Sequence, residues 1–363
     1  MHYYINLALT LLWGAVFLWL PAPAAALPVQ RRERERRFCF CALVTVQWTA
    51  LSGLRYITLG VDTRWYVGHF YRMQNVRWAD IGKALLHGLE KIDSTEPGYA
   101  AFAKGIGILT GWNHQALLLA VALLFFISLA VFVGRNSAMP CLSYVLFSCT
   151  LFEMFTITAV RQTAATAFAV LLSWECLKKR RFVPYAALVA LGMTFHKSCL
   201  VLLPLYFIAR IPLTKWYRAA VVCGVPLLYA LRRPLLRVAA TAVGYGDYVD
   251  AGAGGYGGTF VLLYTALTLV ILWRSGDMVR RDPVNQYVVN ALLMGLAVTP
   301  FVALDASVMR VLYYFALFLL LAVPQLLLTF PRRERAPLYA AVCAALVALW
   351  NPAYLWHVFF WQR

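Results

Sequence analysis

Apolar runs separated by short polar or basic segments extend along the whole chain. A membrane-spanning helix needs roughly 20 mainly apolar residues, and most of these runs approach that length. The pattern predicts about twelve spans, at residues 3–20, 38–54, 116–133, 141–159, 163–177, 183–195, 198–209, 219–231, 259–273, 285–303, 311–330 and 337–350. We therefore expect an all-α, polytopic transmembrane bundle, with residues 1–363 forming one integral-membrane domain.

Two of the predicted spans are unusually short. Residues 183–195 and 198–209 are too few to cross about 30 Å of hydrocarbon at about 1.5 Å per residue. Basic residues stand at both outer ends of the pair. A re-entrant hairpin that turns at His196-Lys197-Ser198 fits this pattern better than a full span, because protein or a watery cavity then covers the turn.

Composition excludes a soluble globular domain. Hydrophobic residues make up 62% of the chain and charged residues 13%, against about 45–50% and about 25% in soluble domains. The net charge of +18 does not indicate nucleic-acid binding, because the basic residues lie in clusters between apolar runs, as membrane topology requires. The cluster Arg31–Arg37 follows the first run and predicts an external N-terminus.

Two external loops are expected on this topology. Residues 55–115 are rich in Tyr, Trp and periodic apolar positions, which favours interfacial or re-entrant helices over a separate domain. Residues 238–258 are rich in Gly and Tyr. Composition leaves open whether this second loop is a mobile lid or a plain linker.

Three arginines end or begin apolar runs on the external side, namely Arg55, Arg161 and Arg310. The planar guanidinium stays charged and contacts phosphate oxygens in pairs, so three of them around one cavity suit a diphosphate group. The alternative is snorkelling or ion pairing inside the bundle, for example between Arg161 and Glu153.

His196 lies at the tip of the short hairpin, where packing explains a histidine poorly. Imidazole is the side chain best suited to accept a proton near neutral pH; a buried histidine with a backbone partner is the alternative. Two external carboxylates are also ambiguous. Asp62 suits a helix cap, sugar binding or general-base chemistry, and Glu96 is similarly ambiguous because an acid beside a proline suits a first helical turn.

A metal site has weak support in the sequence. Glu90, Asp93 and Glu96 have the spacing to gather a divalent cation, but a solvated acidic face is the more ordinary interpretation. No Cys or His spacing typical of a metal site is present, and no nucleotide-binding loop, serine elbow or HExxH motif. We expect no cofactor, with a divalent cation left open.

Several short motifs resemble, in their order, the EpsG family of Wzy-like polysaccharide polymerases. They are Met1-His2-Tyr3-Tyr4-Ile5, Leu54-Arg55-Tyr56, Gly60-Val61-Asp62, Glu96-Pro97-Gly98-Tyr99, Val160-Arg161-Gln162-Thr163-Ala164, Thr194-Phe195-His196-Lys197-Ser198 and Arg310-Val311-Leu312-Tyr313-Tyr314-Phe315. The resemblance runs from the first span to about residue 320. Lys197 departs from it, since the family usually has an aromatic or small residue there.

The resemblance implies an integral-membrane glycosyltransferase of GT-C-like architecture in the bacterial cytoplasmic membrane, with its active site facing outward. Its substrates would be oligosaccharide repeat units carried on undecaprenyl diphosphate in the bilayer, polymerised into O-antigen, capsule or exopolysaccharide. A flippase and a chain-length regulator would be partners, and nucleic acid would not.

We assign roles on that basis. His196 is the expected base, with Asp62 or Glu96 as substitutes, and Arg55, Arg161 and Arg310 hold the diphosphate. The sugar site is expected to be lined by Tyr66, Gln162, Tyr313 and Tyr314.

Three other functions stay open at this stage. They are a monoglycosyltransferase that uses a polyprenyl-phosphate sugar, a flippase or other transporter, and a membrane acyltransferase. The first usually has an acidic pair where Asp62 stands alone, and the second usually has repeat symmetry or paired mid-membrane charges. The third is expected to place its acyl-donor site toward the cytoplasm, whereas His196 faces outward on the predicted topology.

Overall fold

The computed structural model describes residues 2–20, 29–242, 258–305, 307–350 and 357–362, and every regular element within these ranges is helical. The all-α prediction is therefore confirmed. The predicted loop at 238–258 lies outside the described residues from 243 to 257. Its first residues end a helix, and Gly258 begins the next one.

The chain divides into two compact units, residues 1–203 with 342–363, and residues 204–341. The helices up to residue 203 are α1 (His2–Gly14, extended by a π turn Ala15–Trp19), α2 (Val29–Gly53), α3 (Thr63–Arg72), α4 (Trp78–Leu86), α5 (Pro97–Thr110), α6 (His114–Asn136), α7 (Pro140–Thr150), α8 (Phe152–Thr156), α9 (Val160–Thr166, extended by a π turn Ala167–Leu172), α10 (Ser173–Lys178), α11 (Phe182–Phe195) and a 3₁₀ turn (Lys197–Leu202).

The later helices are α12 (Leu205–Ile208), α13 (Lys215–Ala242), α14 (Gly258–Arg281), α15 (Asn285–Val302), α16 (Val308–Ala316), α17 (Leu319–Leu328) and α18 (Arg332–Leu349), followed by a 3₁₀ turn (Phe360–Gln362).

Helices long and apolar enough to span a membrane are present, but in smaller number than the apolar runs predict. Among the described residues, five helices are long and apolar enough to cross a bilayer: His2–Trp19, α6, Lys215–Val238, α14 and α15. A sixth span is formed if α16 and α17, which bend by 41°, are counted together. The twelve-span count and the GT-C-like architecture are not confirmed.

Helix breaks and charge explain the difference in number. Helices α7, α11 and the segment Lys197–Ile208 are apolar but short. The run at 141–159 is interrupted after Thr150 and ends in Ala159, whose φ is +47°. The apolar parts of α2 and α18 continue helices that begin with arginine-rich turns.

The break predicted beside His196 is confirmed. Helix α11 ends at Phe195, and His196 has extended backbone (φ −157°, ψ 111°) before the 3₁₀ turn begins. Helices are also present within the segment 55–115, where the sequence predicts them, as α3, α4 and α5.

Aromatic rings form the core of the first unit. The Trp48 ring of α2 lies 5.0 Å from that of Phe152 and 5.5 Å from that of Phe147. Phe125 of α6 stacks on Phe155 at 5.0 Å. Close approach of α2 to α6 requires a small residue at Gly53, because a Cβ there would lie 2.8 Å from the Leu119 Cα.

In the second unit α14, α15 and α16 meet at a glycine. The hydroxyl of Tyr264 donates to the Leu292 carbonyl at 2.8 Å. A Cβ on Gly295 would lie 2.1 Å from that hydroxyl oxygen and 2.7 Å from Phe315 Cβ. The three helices therefore pack with no room for a larger side chain at this position.

The loop before α3 packs on the break before α9. Gly60 has a φ of +93°, and a Cβ there would lie 2.3 Å from the Ile157 carbonyl oxygen. The Thr63 hydroxyl reinforces this contact, because it lies within hydrogen-bond distance of the Leu59 carbonyl (2.7 Å) and of the Ile157 carbonyl (3.3 Å). Glycine is the residue that tolerates both the positive φ and the close approach. This contact brings the start of α3 to the start of α9, where Arg161 lies.

Candidate functional site

The candidate site is built around Glu96, which immediately precedes α5. Its extended backbone (φ −68°, ψ 144°) leads into Pro97 at the first helical position, where a proline is favoured because the missing N–H has no helical partner. The Glu96 residue is only 3% exposed. A carboxylate this deeply buried requires a charged or hydrogen-bonding partner.

A tight turn positions that carboxylate. Ile92 and Thr95 exchange backbone hydrogen bonds of 2.8 and 3.0 Å, and the two residues between them, Asp93 and Ser94, have φ of +47° and +64°. Two successive positive φ values are typical of a type I′ turn. Non-glycine residues adopt that conformation at a cost, so side-chain contacts are needed to maintain it.

Asp93 supplies those contacts. Its Oδ2 atom lies 2.8 Å from His69 Nδ1 and 2.7 Å from Arg72 Nε, so both residues of α3 hold the turn. The Thr95 hydroxyl lies 3.1 Å from the other ring nitrogen of His69. The turn is thereby fixed to α3.

Arg161 is the principal partner of Glu96. Its Nη1 atom lies 2.5 Å from Glu96 Oε2 and donates to the Ser94 carbonyl at 3.2 Å. Its Nε atom donates to the Tyr66 hydroxyl at 3.4 Å. The side chain is 15% exposed. The predicted alternative, an ion pair with Glu153, is replaced by this pair with Glu96.

His196 lies at the second oxygen of the same carboxylate. The distance from His196 Nδ1 to Glu96 Oε1 is 3.5 Å, which is an ion-pair distance rather than a short hydrogen bond, and the backbone N–H of Lys197 points to Oε1 at 3.4 Å. The His196 side chain is 16% exposed. One carboxylate thus contacts a guanidinium through one oxygen and an imidazole through the other.

A glycine allows α5 to approach the end of α11 and so brings Glu96 to His196. A Cβ on Gly98 would lie 2.1 Å from the Thr194 hydroxyl oxygen and 2.8 Å from the Thr194 carbonyl oxygen. Part of that clash is with backbone, which cannot rotate away. Gly98 is therefore a geometric requirement of the site.

The electrostatic state of Glu96 follows from these contacts. Burial alone would raise its pKa, but the adjacent His196 ring and the Arg161 charge lower the pKa to about 2. Glu96 is therefore ionised at neutral pH. It is a weak proton acceptor, but a strong electrostatic partner for a cation or for an imidazole N–H.

A family model describes this chain. The EpsG family model matches residues 38–359, nearly the whole chain and all three site residues. The chain belongs to the EpsG family. No curated relative and no solved structure matches the chain significantly. Membership confirms the resemblance inferred from the motifs and makes this a membrane protein of polysaccharide biosynthesis.

Arg55, which belongs to another of the EpsG motifs, is a buried residue with a backbone partner. Arg55 is 3% exposed, and its Nη1 atom donates to the Ser52 carbonyl at 2.6 Å. It lines a small cavity with hydroxyl groups such as those of Thr156 and Thr163. The residues after Arg55 pair with the C-terminal segment, since the Tyr56 N–H donates to the Val358 carbonyl at 2.8 Å. A role in diphosphate binding stays a prediction for this buried arginine.

The remaining residues of the EpsG motifs fall in both units. Arg310, Tyr313 and Tyr314 belong to α16 in the second unit, where Tyr314 is fully buried and the Tyr313 ring lies 5.1 Å from that of Phe260. Their predicted contributions to diphosphate and sugar binding stay predictions.

In the first unit, Asp62 precedes α3 without a side-chain hydrogen bond to the helix start, so the capping interpretation is wrong. Its general-base role stays a prediction. Tyr66 and Gln162 are 4% and 2% exposed. The Tyr66 hydroxyl contacts Arg161, and sugar contacts for both residues stay a prediction.

Trp65 and His69 also adjoin the site, although no motif predicts a role for them. They stand four residues apart on α3, and their rings stack at 5.7 Å with an interplanar angle of 9°. This spacing places two side chains on one helix face, and the Asp-Ser pair at 93–94 is a recognisable turn signal. Those two signals were available in the sequence.

A divalent-cation site at Glu90, Asp93 and Glu96 is not formed. Asp93 turns to His69 and Arg72, whereas Glu96 turns to Arg161. Within the part of the chain that the structure describes, no group of three His, Cys, Asp or Glu side chains has the arrangement to hold a metal ion.

Proposed function

We propose that this protein is a polysaccharide polymerase, which transfers an oligosaccharide from undecaprenyl diphosphate to the terminal sugar of a second lipid-linked repeat unit. The observation that supports this proposal is the Glu96 carboxylate, which contacts Arg161 through one oxygen and His196 through the other. A cation for a leaving diphosphate and a base for an attacking hydroxyl are the two groups that this reaction needs.

His196 is the proposed general base. With Glu96 at Nδ1, that nitrogen carries the ring proton and Nε2 is left to accept the proton of the acceptor hydroxyl as it attacks the anomeric carbon. A carboxylate that orients an imidazole in this way is a recurring catalytic arrangement. The 3.5 Å separation suits a resting site, because catalytic hydrogen bonds often shorten when substrate binds.

Arg161 is the proposed diphosphate ligand. As the anomeric C–O bond breaks, negative charge grows on the diphosphate, and a fixed guanidinium stabilises it without reorganisation. A guanidinium carries five N–H donors, and the Arg161 contacts to Ser94, Glu96 and Tyr66 use its Nη1 and Nε atoms. Glu96 holds Arg161 in place rather than accepting the substrate proton, because its low pKa makes it a weak base.

We place the reaction at the outer face of the bacterial cytoplasmic membrane, where flipped lipid-linked repeat units are available. Partners in assembly would be a flippase and a chain-length regulator. No resident cofactor is needed for this mechanism. Arg310, Tyr313 and Tyr314 are candidates for additional substrate contacts.

Deletion in the source organism tests the proposal, with surface glycan resolved by size. Loss of the long ladder with a single capped repeat unit retained is the expected result. Complete loss of glycan would instead indicate a flippase or an earlier transferase, and a ladder of normal repeats lacking one sugar branch would indicate a monoglycosyltransferase. An unchanged ladder would contradict all three functions.

A further inference from the structure

Trp65 presents an aromatic ring beside the proposed diphosphate ligand. It lies on α3, one residue before Tyr66, and is 39% exposed. The Arg161 Cζ atom lies 5.5 Å from the centroid of its ring. Of the aromatic rings in contact with Arg161, Trp65 is the exposed one, since Tyr66 is buried.

The Trp65 ring contacts two neighbouring side chains of α3. It stacks on His69, and Tyr66 meets it edge-on at 5.1 Å with an interplanar angle of 82°. His69 is fully buried, is bound by Asp93 and Thr95 at its two nitrogens, and stacks on Tyr99 at 5.8 Å. A ring already packed against neighbouring side chains loses less entropy when a ligand covers it than a free ring does.

The layered arrangement differs from that of a tryptophan at the membrane interface. Interfacial tryptophans anchor a helix at the headgroup level and need no ordered polar network behind them. Here the indole stacks on an imidazole that is bound by the turn containing Asp93, and the same indole contacts Arg161. A flat aromatic surface beside a cation for diphosphate suits a sugar ring, whose C–H face stacks on the indole while its hydroxyls stay available for hydrogen bonds.

We propose that Trp65 is the stacking platform for the sugar that carries the diphosphate in the lipid-linked donor. This inference rests on the proposed function and assigns a substrate contact to the same site. The Arg161 contact sets the orientation of the donor: when its sugar ring is stacked on Trp65, the anomeric diphosphate faces the guanidinium. His69 and Asp93 are positioning residues that keep the platform in place.

The test compares two lipids binding to the purified full-length protein in nanodiscs. One is the lipid-linked repeat unit extracted from the deletion strain, and the other is undecaprenyl diphosphate without sugar. For Trp65→Leu we expect roughly tenfold weaker binding of the first lipid and unchanged binding of the second. Trp65→Tyr, which keeps a ring, should stay within about threefold of the unsubstituted protein.

Trp78 provides the matched control. It is 51% exposed on α4 and lies over Lys104 rather than Arg161. Trp78→Leu should bind both lipids normally. Equal weakening of both lipids by Trp65→Leu would overturn the proposal in favour of a contact with the lipid tail or membrane, and unchanged binding of both would overturn it outright.

A measurement on the unsubstituted protein covers the case in which Trp65→Leu does not fold. Oxidation of tryptophans, mapped by peptide mass spectrometry, should be suppressed at Trp65 by the repeat-unit lipid and not by undecaprenyl diphosphate, while oxidation at Trp78 is unaffected. Equal oxidation of Trp65 with either lipid would overturn the platform. Normal binding of undecaprenyl diphosphate by Arg161→Gln would instead count against the proposed function, whatever Trp65 does.

Discussion

The Oε2 atom of Glu96 lies 2.5 Å from Nη1 of Arg161, and the two residues are 65 positions apart in the chain. The pair is nearly dry, with side-chain exposures of 4% and 15%. The pair adjoins His196 and is largely buried, which distinguishes it from a surface ion pair, whose contribution to stability is usually small.

Replacing Arg161 should separate the effect of its charge from that of its shape. Arg161→Ala should reduce polymer formation by about 100-fold, the typical cost of removing a preorganised electrostatic group. Arg161→Lys should recover part of the activity, because it keeps the charge but loses the planar fork. Polymer yield per unit of membrane protein measures both.

Arg77 is the matched control for that substitution. Its side chain is 79% exposed and pairs with Asp80 three residues away. Arg77→Ala should give a normal glycan ladder. Equal losses in Arg77→Ala and Arg161→Ala would show a general effect of removing positive charge rather than a site effect.

Acid should weaken the contribution of Glu96 to stability. Its pKa is about 2 in the folded protein, against an ordinary value of 4.5. A lowered carboxyl pKa stabilises the fold above its unfolded value, and this stabilisation is lost as pH falls toward the folded value. The difference in Tm between the unsubstituted protein and Glu96→Gln should therefore be largest above about pH 5 and shrink toward about pH 2.

Thermal unfolding in detergent across this pH range tests that expectation. Burial and the positive φ values nearby affect both proteins equally, so the difference reports the carboxylate. A Tm difference that stays constant down to about pH 2 would contradict the assigned ionisation of Glu96.

Two glycines of α5 give a sharp test of its packing. Gly98→Ala introduces a Cβ about 2.1 Å from the Thr194 hydroxyl oxygen and should push Glu96 away from His196, with a lower Tm and little polymer. Gly105 has no atom within 4 Å of such a Cβ. Gly105→Ala should keep activity and raise helix stability by up to about 1 kcal/mol. Equal behaviour of the two variants would contradict the close approach of α5 to α11.

Lys104 is expected to stabilise the fold without entering the chemistry. It is 7% exposed, and its Nζ atom donates at 2.9 Å to the carbonyl of Met73, just beyond the end of α3. The same atom lies 5.8 Å from the ring centroids of Trp78 and Trp112. Lys104→Met should cost about 1.5–3 kcal/mol, the usual value of a charged hydrogen bond. Lys83→Met, on the exposed side of α4, should cost almost nothing. A similar Tm in both variants would contradict this role.

Sequence patterns could predict what depends on local composition. Apolar runs indicated an all-helical membrane protein, and the short hairpin at His196 was recognisable because too few apolar residues stood on either side. Each site residue has its own signal in the sequence. Arg161 and Glu96 are charged residues outside the basic clusters, and His196 lies at the turn between two short apolar segments.

Contacts between distant segments could not be predicted in the same way. Spacing suggests Glu153 as a partner for Arg161 because both lie in one apolar run, but the helix break at Ala159 separates them. The pair with Glu96 depends on the packing of α3, α5 and α9, which one sequence does not encode in any local pattern. The predicted number of spans also exceeds the number in the structure, because a run of apolar residues does not show where a helix breaks.

The most direct test of the central claim is polymer synthesis by purified protein in nanodiscs supplied with the extracted lipid-linked repeat unit. The unsubstituted protein should produce a ladder of products, and His196→Ala and Arg161→Ala proteins of equal Tm should produce almost none. A full ladder at the normal rate from both variants would contradict the assignment of the Arg161–Glu96–His196 site as the centre of glycosyl transfer.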